Sequence, residues 1–254
     1  MRNLFDLSGK VAVITGGSRG LGLEMARAFA AQGASVVIAS RKLEACQAVA
    51  DELQQAHGAR TLPVAFHAGR WDDATRLLET VQQAFGRIDI LVNNAGASPA
   101  YPSLTQISEE LWNKVLDLNL KGPFRLSVLV AEQMAKAGGG SIINISSASA
   151  MQPSEHELPY AMAKSALHTM ATGMSQLYGG KVRVNTIVPG AFLTDISKAW
   201  PAEMHERIRA GVPMGRAGEP REIVGAALYL ASDAASYTSG AVIKVDGGFA
   251  QTRG

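Results

Sequence analysis

Val11-Ala12-Val13-Ile14-Thr15-Gly16-Gly17-Ser18-Arg19-Gly20-Leu21-Gly22 decides the fold. A short, β-branched apolar run passes directly into a glycine-rich turn. Residues at helical spacing follow, Leu21, Met25, Ala28 and Phe29, and Gly33 suits the helix C-terminus. Strand, glycine turn and helix in that order begin a βαβ unit. The glycines let the backbone turn sharply and approach a pyrophosphate, while the helix N-terminus offers free N–H groups and the positive end of its dipole. The spacing is Gly-x3-Gly-x-Gly, through Gly16, Gly20 and Gly22. It differs from the general G-x-G-x-x-G fingerprint, and no Lys-Ser/Thr follows the last glycine as a P-loop requires.

Outward from this stretch, similar runs bounded by Gly or Asn recur at 35–39, 61–66, 88–92, 141–145, 182–188 and 241–245, separated by helix-period segments. Strands alternating with helices predict an α/β protein, a doubly wound (Rossmann) seven-stranded parallel sheet flanked by helices. No composition shift or linker divides residues 1–254, so a single domain is expected, and Gly138-Gly139-Gly140 reads as a tight loop before a strand.

Composition narrows the classes of function. Hydrophobic residues make up 47% and charged residues 18%, which fits a globular enzyme and not a disordered chain. A net charge of +2 without basic clusters gives no reason to expect a nucleic-acid or membrane partner. The single cysteine, Cys46, rules out an intrachain disulfide. The opening residues Met1 to Lys10 lack an apolar h-region, so a cytosolic protein is expected. His57, His67, His156, His168 and His205 show no ligand spacing, and no metal is expected.

Two groups of residues carry chemistry. Tyr160 and Lys164 stand four residues apart in a helix-like segment and so share one face. To work as an acid or base near neutral pH, a tyrosine needs a shift of ~3 units, about 4 kcal/mol, which a cation at roughly 4 Å in a partly desolvated site can supply. The second group ends the second strand. In a dinucleotide site those residues read the adenosine ribose, an acid for a free 2′-OH and a base for a 2′-phosphate. Here they are Ser40, Arg41 and Lys42, with Arg19 in the glycine loop, so NADP(H) is preferred and NAD(H) stays admissible. A rival reading takes Gly16-Gly17-Ser18-Arg19-Gly20 as the G-x-S-x-G elbow of an α/β-hydrolase, with Ser18, Asp195 and His205 as a triad. It leaves Arg19 and Gly22 without a role and provides no upstream loop for an oxyanion hole.

The glycine loop, Asn93-Asn94-Ala95-Gly96, Ser147 thirteen residues before Tyr160, Tyr160-x-x-x-Lys164, and Pro189-Gly190 with Thr194 occur in order from Lys10 to about Phe249. Together they resemble the short-chain dehydrogenase/reductase family. The resemblance implies an oxidoreductase that moves a hydride between a nicotinamide cofactor and a carbonyl or secondary alcohol. Tyr160 would be the general acid or base, Ser147 would hydrogen-bond the substrate oxygen, and Lys164 would bind the nicotinamide ribose and, with the positive charge of the oxidised ring, depress the tyrosine pKa. Asn119 would hold a relay water. The implied cofactor contacts are Gly16, Ser18, Arg19, Gly20, Leu21, Gly22, Ser40, Arg41, Asn93, Ala95, Gly96, Tyr160, Lys164, Pro189, Gly190 and Thr194. His67 stands where members usually carry an aspartate that contacts adenine. Ser146 is the rival for the catalytic serine, but the spacing to Tyr160 favours Ser147. Substrate contacts are expected at Ser147, Met151, Tyr160 and Phe192, with a substrate lid over about 191–218. An NADPH-dependent ketone or 3-oxoacyl reductase is the leading expectation, assembled as a homotetramer or homodimer. A non-catalytic dinucleotide sensor is the alternative, although such a protein has no need of Asn119, Ser147, Tyr160 and Lys164 together.

Overall fold

The structure is a computed structural model that describes residues 3–195, 197 and 200–250. Seven strands pair in parallel: β1 (Val11–Thr15), β2 (Ser35–Ser40), β3 (Thr61–Ala65), β4 (Ile90–Asn93), β5 (Gly140–Ile145), β6 (Val182–Pro189) and β7 (Val242–Val245). Their order across the sheet is β3-β2-β1-β4-β5-β6-β7. The helices are α1 (Gly20–Ala31), α2 (Leu43–His57), α3 (Trp71–Phe85), α4 (Glu109–Leu116), α5 (Gly122–Lys136), α6 (Leu158–Leu177), α7 (Ala202–Gly211) and α8 (Val224–Ala231). The doubly wound parallel sheet expected from the sequence is the fold observed.

Both sheet faces are covered, which is why the strands are apolar at consecutive positions. Successive side chains point to opposite faces. Ala12 and Ile14 of β1 therefore pack with α1, α2 and α8, whereas Val11 and Val13 pack with α3, α5 and α6. Pro63, which cannot donate to a ladder, is tolerated because β3 lies at the sheet edge. β4 starts at Ile90, two residues later than the apolar run suggests, because Asp89 turns its carboxylate to the Val11 N–H at 2.9 Å and to Arg87. α1 ends as its sequence predicts: the N–H groups of Gly33 and Ala34 bond Ala30 O and Phe29 O, both at 3.0 Å.

One helix departs from the regular spacing read in the sequence. Between α4 and α5 the chain makes a π-helical turn over Asp117–Lys121 that contains Asn119. The following Gly122 lies so close to Ala68 that a Cβ there would come within 1.6 Å of its carbonyl oxygen.

β1 and β4 are neighbours, and the chain leaves them toward opposite ends of the sheet, which opens a crevice at their carboxyl ends. The segment 191–218 rises from the same edge and is tied at its base, where Leu193 N–H bonds Gly218 O and Gly218 N–H bonds Ala191 O, both at 2.9 Å. Within it α7 buries no residue. Among the described residues no helix is long and apolar enough to cross a membrane.

Candidate active site

The loops after β1 and β4 form the floor of the crevice. Thr15 Oγ1 accepts the N–H groups of Asn94 at 3.0 Å and Ala95 at 3.1 Å, and donates to Val92 O at 3.2 Å. Asn94 Nδ2 returns the contact to Thr15 O at 2.9 Å and Gly16 O at 3.2 Å. The glycine loop is thereby fixed against the end of β4. A Cβ on Gly22 would lie 2.3 Å from Gly16 O, so the turn closes only around a glycine. Thr194 stands beside Gly20, its Cγ2 3.5 Å from where a Cβ would be. The sequence reading missed Thr15 and Asn94, and the only signal for Asn94 was its place in the Asn93-Asn94 pair. Asn93 faces inward. Its side chain is sealed in the interior, donating to Ser127 Oγ at 2.7 Å and Asn144 Oδ1 at 2.9 Å, so only its backbone is left for the crevice.

At the β2 side, Ser18 Oγ meets Ser40 Oγ at 2.8 Å, which joins the glycine loop to the strand that ends in Arg41. Arg19 and Arg41 are exposed, and neither has an acidic partner among the described residues. His67 is held through its backbone, its N–H donating to Asp73 Oδ2 at 2.9 Å, while its Nδ1 accepts the Gly69 N–H at 3.2 Å. The hydrolase triad is not assembled. Ser18 is bonded to Ser40, and His205 packs edge-on against Trp200 with ring centroids 5.9 Å apart.

The expected catalytic residues converge from three elements. Lys164, on α6, is 2% exposed and donates from Nζ to Ile145 O at 2.8 Å. A Cβ on Gly96 would lie 3.1 Å from Lys164 Nζ and 2.7 Å from Asn119 Oδ1, so the glycine is what lets the loop after β4 pass between them. Asn119 binds that loop on both sides of one residue, with Oδ1 accepting the Ala97 N–H at 3.2 Å and Nδ2 donating to Ala97 O at 2.9 Å. Tyr160 lies on the same helix as Lys164, with the lysine Nζ 5.6 Å from its ring centroid.

The two serines after β5 separate cleanly. Ser146 is buried, donates to Lys164 O at 3.0 Å and sits 2.8 Å from His168 Nε2, which ties β5 to α6. Ser147 is the one beside the Tyr160 phenol, whose pKa it lowers.

Without a cofactor, burial dominates the electrostatics of this pair. Burial pushes the Tyr160 phenol up to about 12, the Ser147 hydrogen bond pulls it part of the way back, and the Glu157 carboxylate raises it further. Burial also pushes the Lys164 ammonium down, to about 8. In the protein by itself Tyr160 is held protonated.

On the substrate side, Met151 packs with Ala148, Val188 and Ala250 near the end of β6. Phe192, expected to touch substrate, is 6% exposed and belongs to the hydrophobic core with Ile145, Ile187 and Ile223. The cause is Gly218, against which its ring lies flush, with Phe192 Cε1 2.8 Å from where a Cβ would be. Two neighbours were not foreseen. Tyr101 donates to Glu155 O at 2.6 Å and accepts the Leu158 N–H at 2.9 Å, joining the loop after β4 to the start of α6. Ala250 is fully buried, its N–H held by Asp246 Oδ2 at 2.8 Å.

A family model described as enoyl-(acyl carrier protein) reductase matches residues 16–250. The 3-oxoacyl-[acyl-carrier-protein] reductase FabG of Chlamydia trachomatis is 38% identical over 245 residues, 96% of this chain and 98% of that protein. Among solved structures, a 7α-hydroxysteroid dehydrogenase complexed with NADH and 7-oxo glycochenodeoxycholic acid superposes with a TM-score of 0.92 at 36% identity, covering 100% of both chains. An L-sorbose reductase from Gluconobacter frateurii, complexed with NADPH and L-sorbose, superposes with a TM-score of 0.92 at 32% identity, covering 98% of this chain and 100% of that one. The chain belongs to the short-chain dehydrogenase/reductase family and is a nicotinamide-dependent oxidoreductase. One of these structures holds NADH and the other NADPH on the same fold, so cofactor choice rests with side chains.

Proposed function

We propose that this protein is an NADPH-dependent reductase of a ketone or 3-oxoacyl group, able to run in reverse on the secondary alcohol. The observation that carries this reading is the convergence of Ser147, Tyr160, Lys164 and Asn119 around the Gly96 wall of the crevice. The residues present fit a nicotinamide dinucleotide. The backbone cradle has no room for a Cβ at Gly16 or Gly22, and Ser18 and Ser40 are each followed by an arginine that has no acidic partner among the described residues. The two arginines would hold a 2′-phosphate, which a guanidinium fork matches. NAD(H) stays admissible.

When bound there, the cofactor supplies or takes up the hydride. Tyr160 donates the proton to the carbonyl oxygen, a task suited to a phenol that stays protonated up to about 12. Ser147 binds the same oxygen. Lys164 would bind the ribose hydroxyls, and Asn119, which holds the Ala97 backbone, would also hold a relay water. Gly20, Leu21, Pro189, Gly190 and Thr194 border the cofactor, His67 lies at its adenine end, and 191–218 is the substrate lid, with Met151 beneath it. Cys46, single and buried, agrees with a cytosolic setting. Exposed Phe124 on α5, Met162 and Leu177 on α6 and Val242 on the β7 edge support a homotetramer or homodimer.

The test is a screen of ketones, diketones, 3-oxoacyl esters and sugars with NADPH and NADH, followed at the reduced-nicotinamide absorbance band. Turnover is expected with NADPH, and Tyr160→Phe should lower it by a factor on the order of 10³ while leaving NADPH affinity nearly unchanged. Undiminished turnover in that variant would remove Tyr160 from its role. Tight cofactor binding without hydride transfer to any of these compounds would favour a sensor.

A further inference from the structure

Ser147 does not meet the substrate side with an uncommitted hydroxyl. Its Oγ accepts the Ser149 N–H at 3.2 Å and lies 3.0 Å from Ser149 Oγ. Ser149, 9% exposed, donates in turn to Glu157 Oε1 at 2.7 Å. The direction of this chain follows from the chemistry of its last member. An ionised carboxylate only accepts, so the Ser149 proton must point at Glu157. Ser149 Oγ can then only accept from its other neighbour, and the Ser147 proton must point at Ser149. With its proton committed to Ser149, Ser147 has a lone pair left for a group entering the crevice.

A carbonyl oxygen is itself an acceptor and gains negative charge as it is reduced, so it needs a donor from Ser147. We propose that Glu157, acting through Ser149, is a positioning residue that holds the Ser147 proton away from the reacting oxygen, so that Ser147 must break its bond to Ser149 before it can donate. The proposal rests on the reading of Ser147 as the substrate-oxygen ligand. Ser149 and Glu157 act through Ser147 and touch no reacting atom themselves. The arrangement restrains carbonyl reduction and favours an alcohol, whose O–H finds an acceptor ready.

Glu157→Gln lets the chain reverse without changing its shape, because the amide, unlike the carboxylate, can turn an N–H to Ser149, and Ser149 can then donate to Ser147, which frees the Ser147 proton for the crevice. Ser149→Ala achieves the same release by removing the inner acceptor. Neutron diffraction from deuterated protein is expected to place the Ser147 deuteron between Ser147 and Ser149 in the native chain and on the Tyr160 side in Glu157→Gln. In kinetics with ethyl acetoacetate and NADPH, both variants are expected to raise kcat/KM by about three- to tenfold, the worth of one ordinary hydrogen bond. A merely structural role predicts a loss instead. A native deuteron on the Tyr160 side would overturn the proposal, and so would kcat/KM unchanged or lowered in both variants. If the native protein leaves ethyl acetoacetate unreduced, that result counts against the reductase reading, and the deuteron position still decides the role of Glu157.

Discussion

Lys164 is almost sealed from water, and its ammonium pays for that burial with a pKa near 8 in place of 10.5. Between those two values the unfolded lysine binds a proton that the folded lysine has released. Stability contributed at this position therefore rises as pH climbs from about 8 to 10.5, by about 3 kcal/mol across the window. Urea unfolding of the native chain and Lys164→Met at pH 7, 8, 9 and 10 checks this. The native chain should gain on the variant above pH 8, and a constant difference would mean that the lysine is not desolvated. Tyr160 acts in the opposite sense at higher pH. Its folded pKa near 12 exceeds the ordinary 10, so its contribution is complete below pH 10 and is lost between 10 and 12. Arg41 sets a prediction at the same scale. Arg41→Ala should weaken NADPH by roughly 10- to 100-fold, as expected for lost charge-assisted hydrogen bonds, and NADH by much less. Isothermal titration with both cofactors decides it, and an equal loss would refute the 2′-phosphate contact.

Among the elements, the π-helical turn Asp117–Lys121 does most to complete the site. The turn carries Asn119 inward to bond both polar groups of the Ala97 backbone. Asn119→Ala would leave those groups without their side-chain partner in a part-buried place, at a cost of about 1–3 kcal/mol. The variant should unfold at lower urea, and amide hydrogen exchange at Ala97 should speed up. Unchanged exchange at Ala97 would show that the loop after β4 holds itself. Periodicity alone did not reveal this turn, because Leu111 to Asn119 reads as ordinary helix and the close approach of Gly122 to Ala68 joins residues more than fifty positions apart. By contrast β1, the glycine loop and α1 were legible, since alternation, turn chemistry and a glycine stop are all local.

For the whole molecule, the apolar residues left exposed on α5, α6 and the β7 edge bear on assembly. An open strand edge is a ready pairing surface unless charge or a partner covers it. Light scattering at micromolar concentration should give a mass of four times 26.7 kDa, and Val242→Glu should halve it. A native mass of 26.7 kDa would set the oligomer aside.

The sequence by itself determined the doubly wound sheet and the glycine turn of the dinucleotide crevice, and it singled out Ser147, Tyr160 and Lys164 as candidates, because strand and helix periods, glycine geometry and motif spacing are written locally along the chain. Only the tertiary structure decided that the Asn93 side chain is sealed inside while Asn94 ties down the glycine loop, and that Ser146 is spent on Lys164 and His168. It also placed Phe192 in the core, buried the Tyr160 phenol, and linked Ser147 through Ser149 to Glu157. Each of these depends on burial and on partners brought together from distant parts of the chain. Solvation and hydrogen-bond choice exist only once those parts have met.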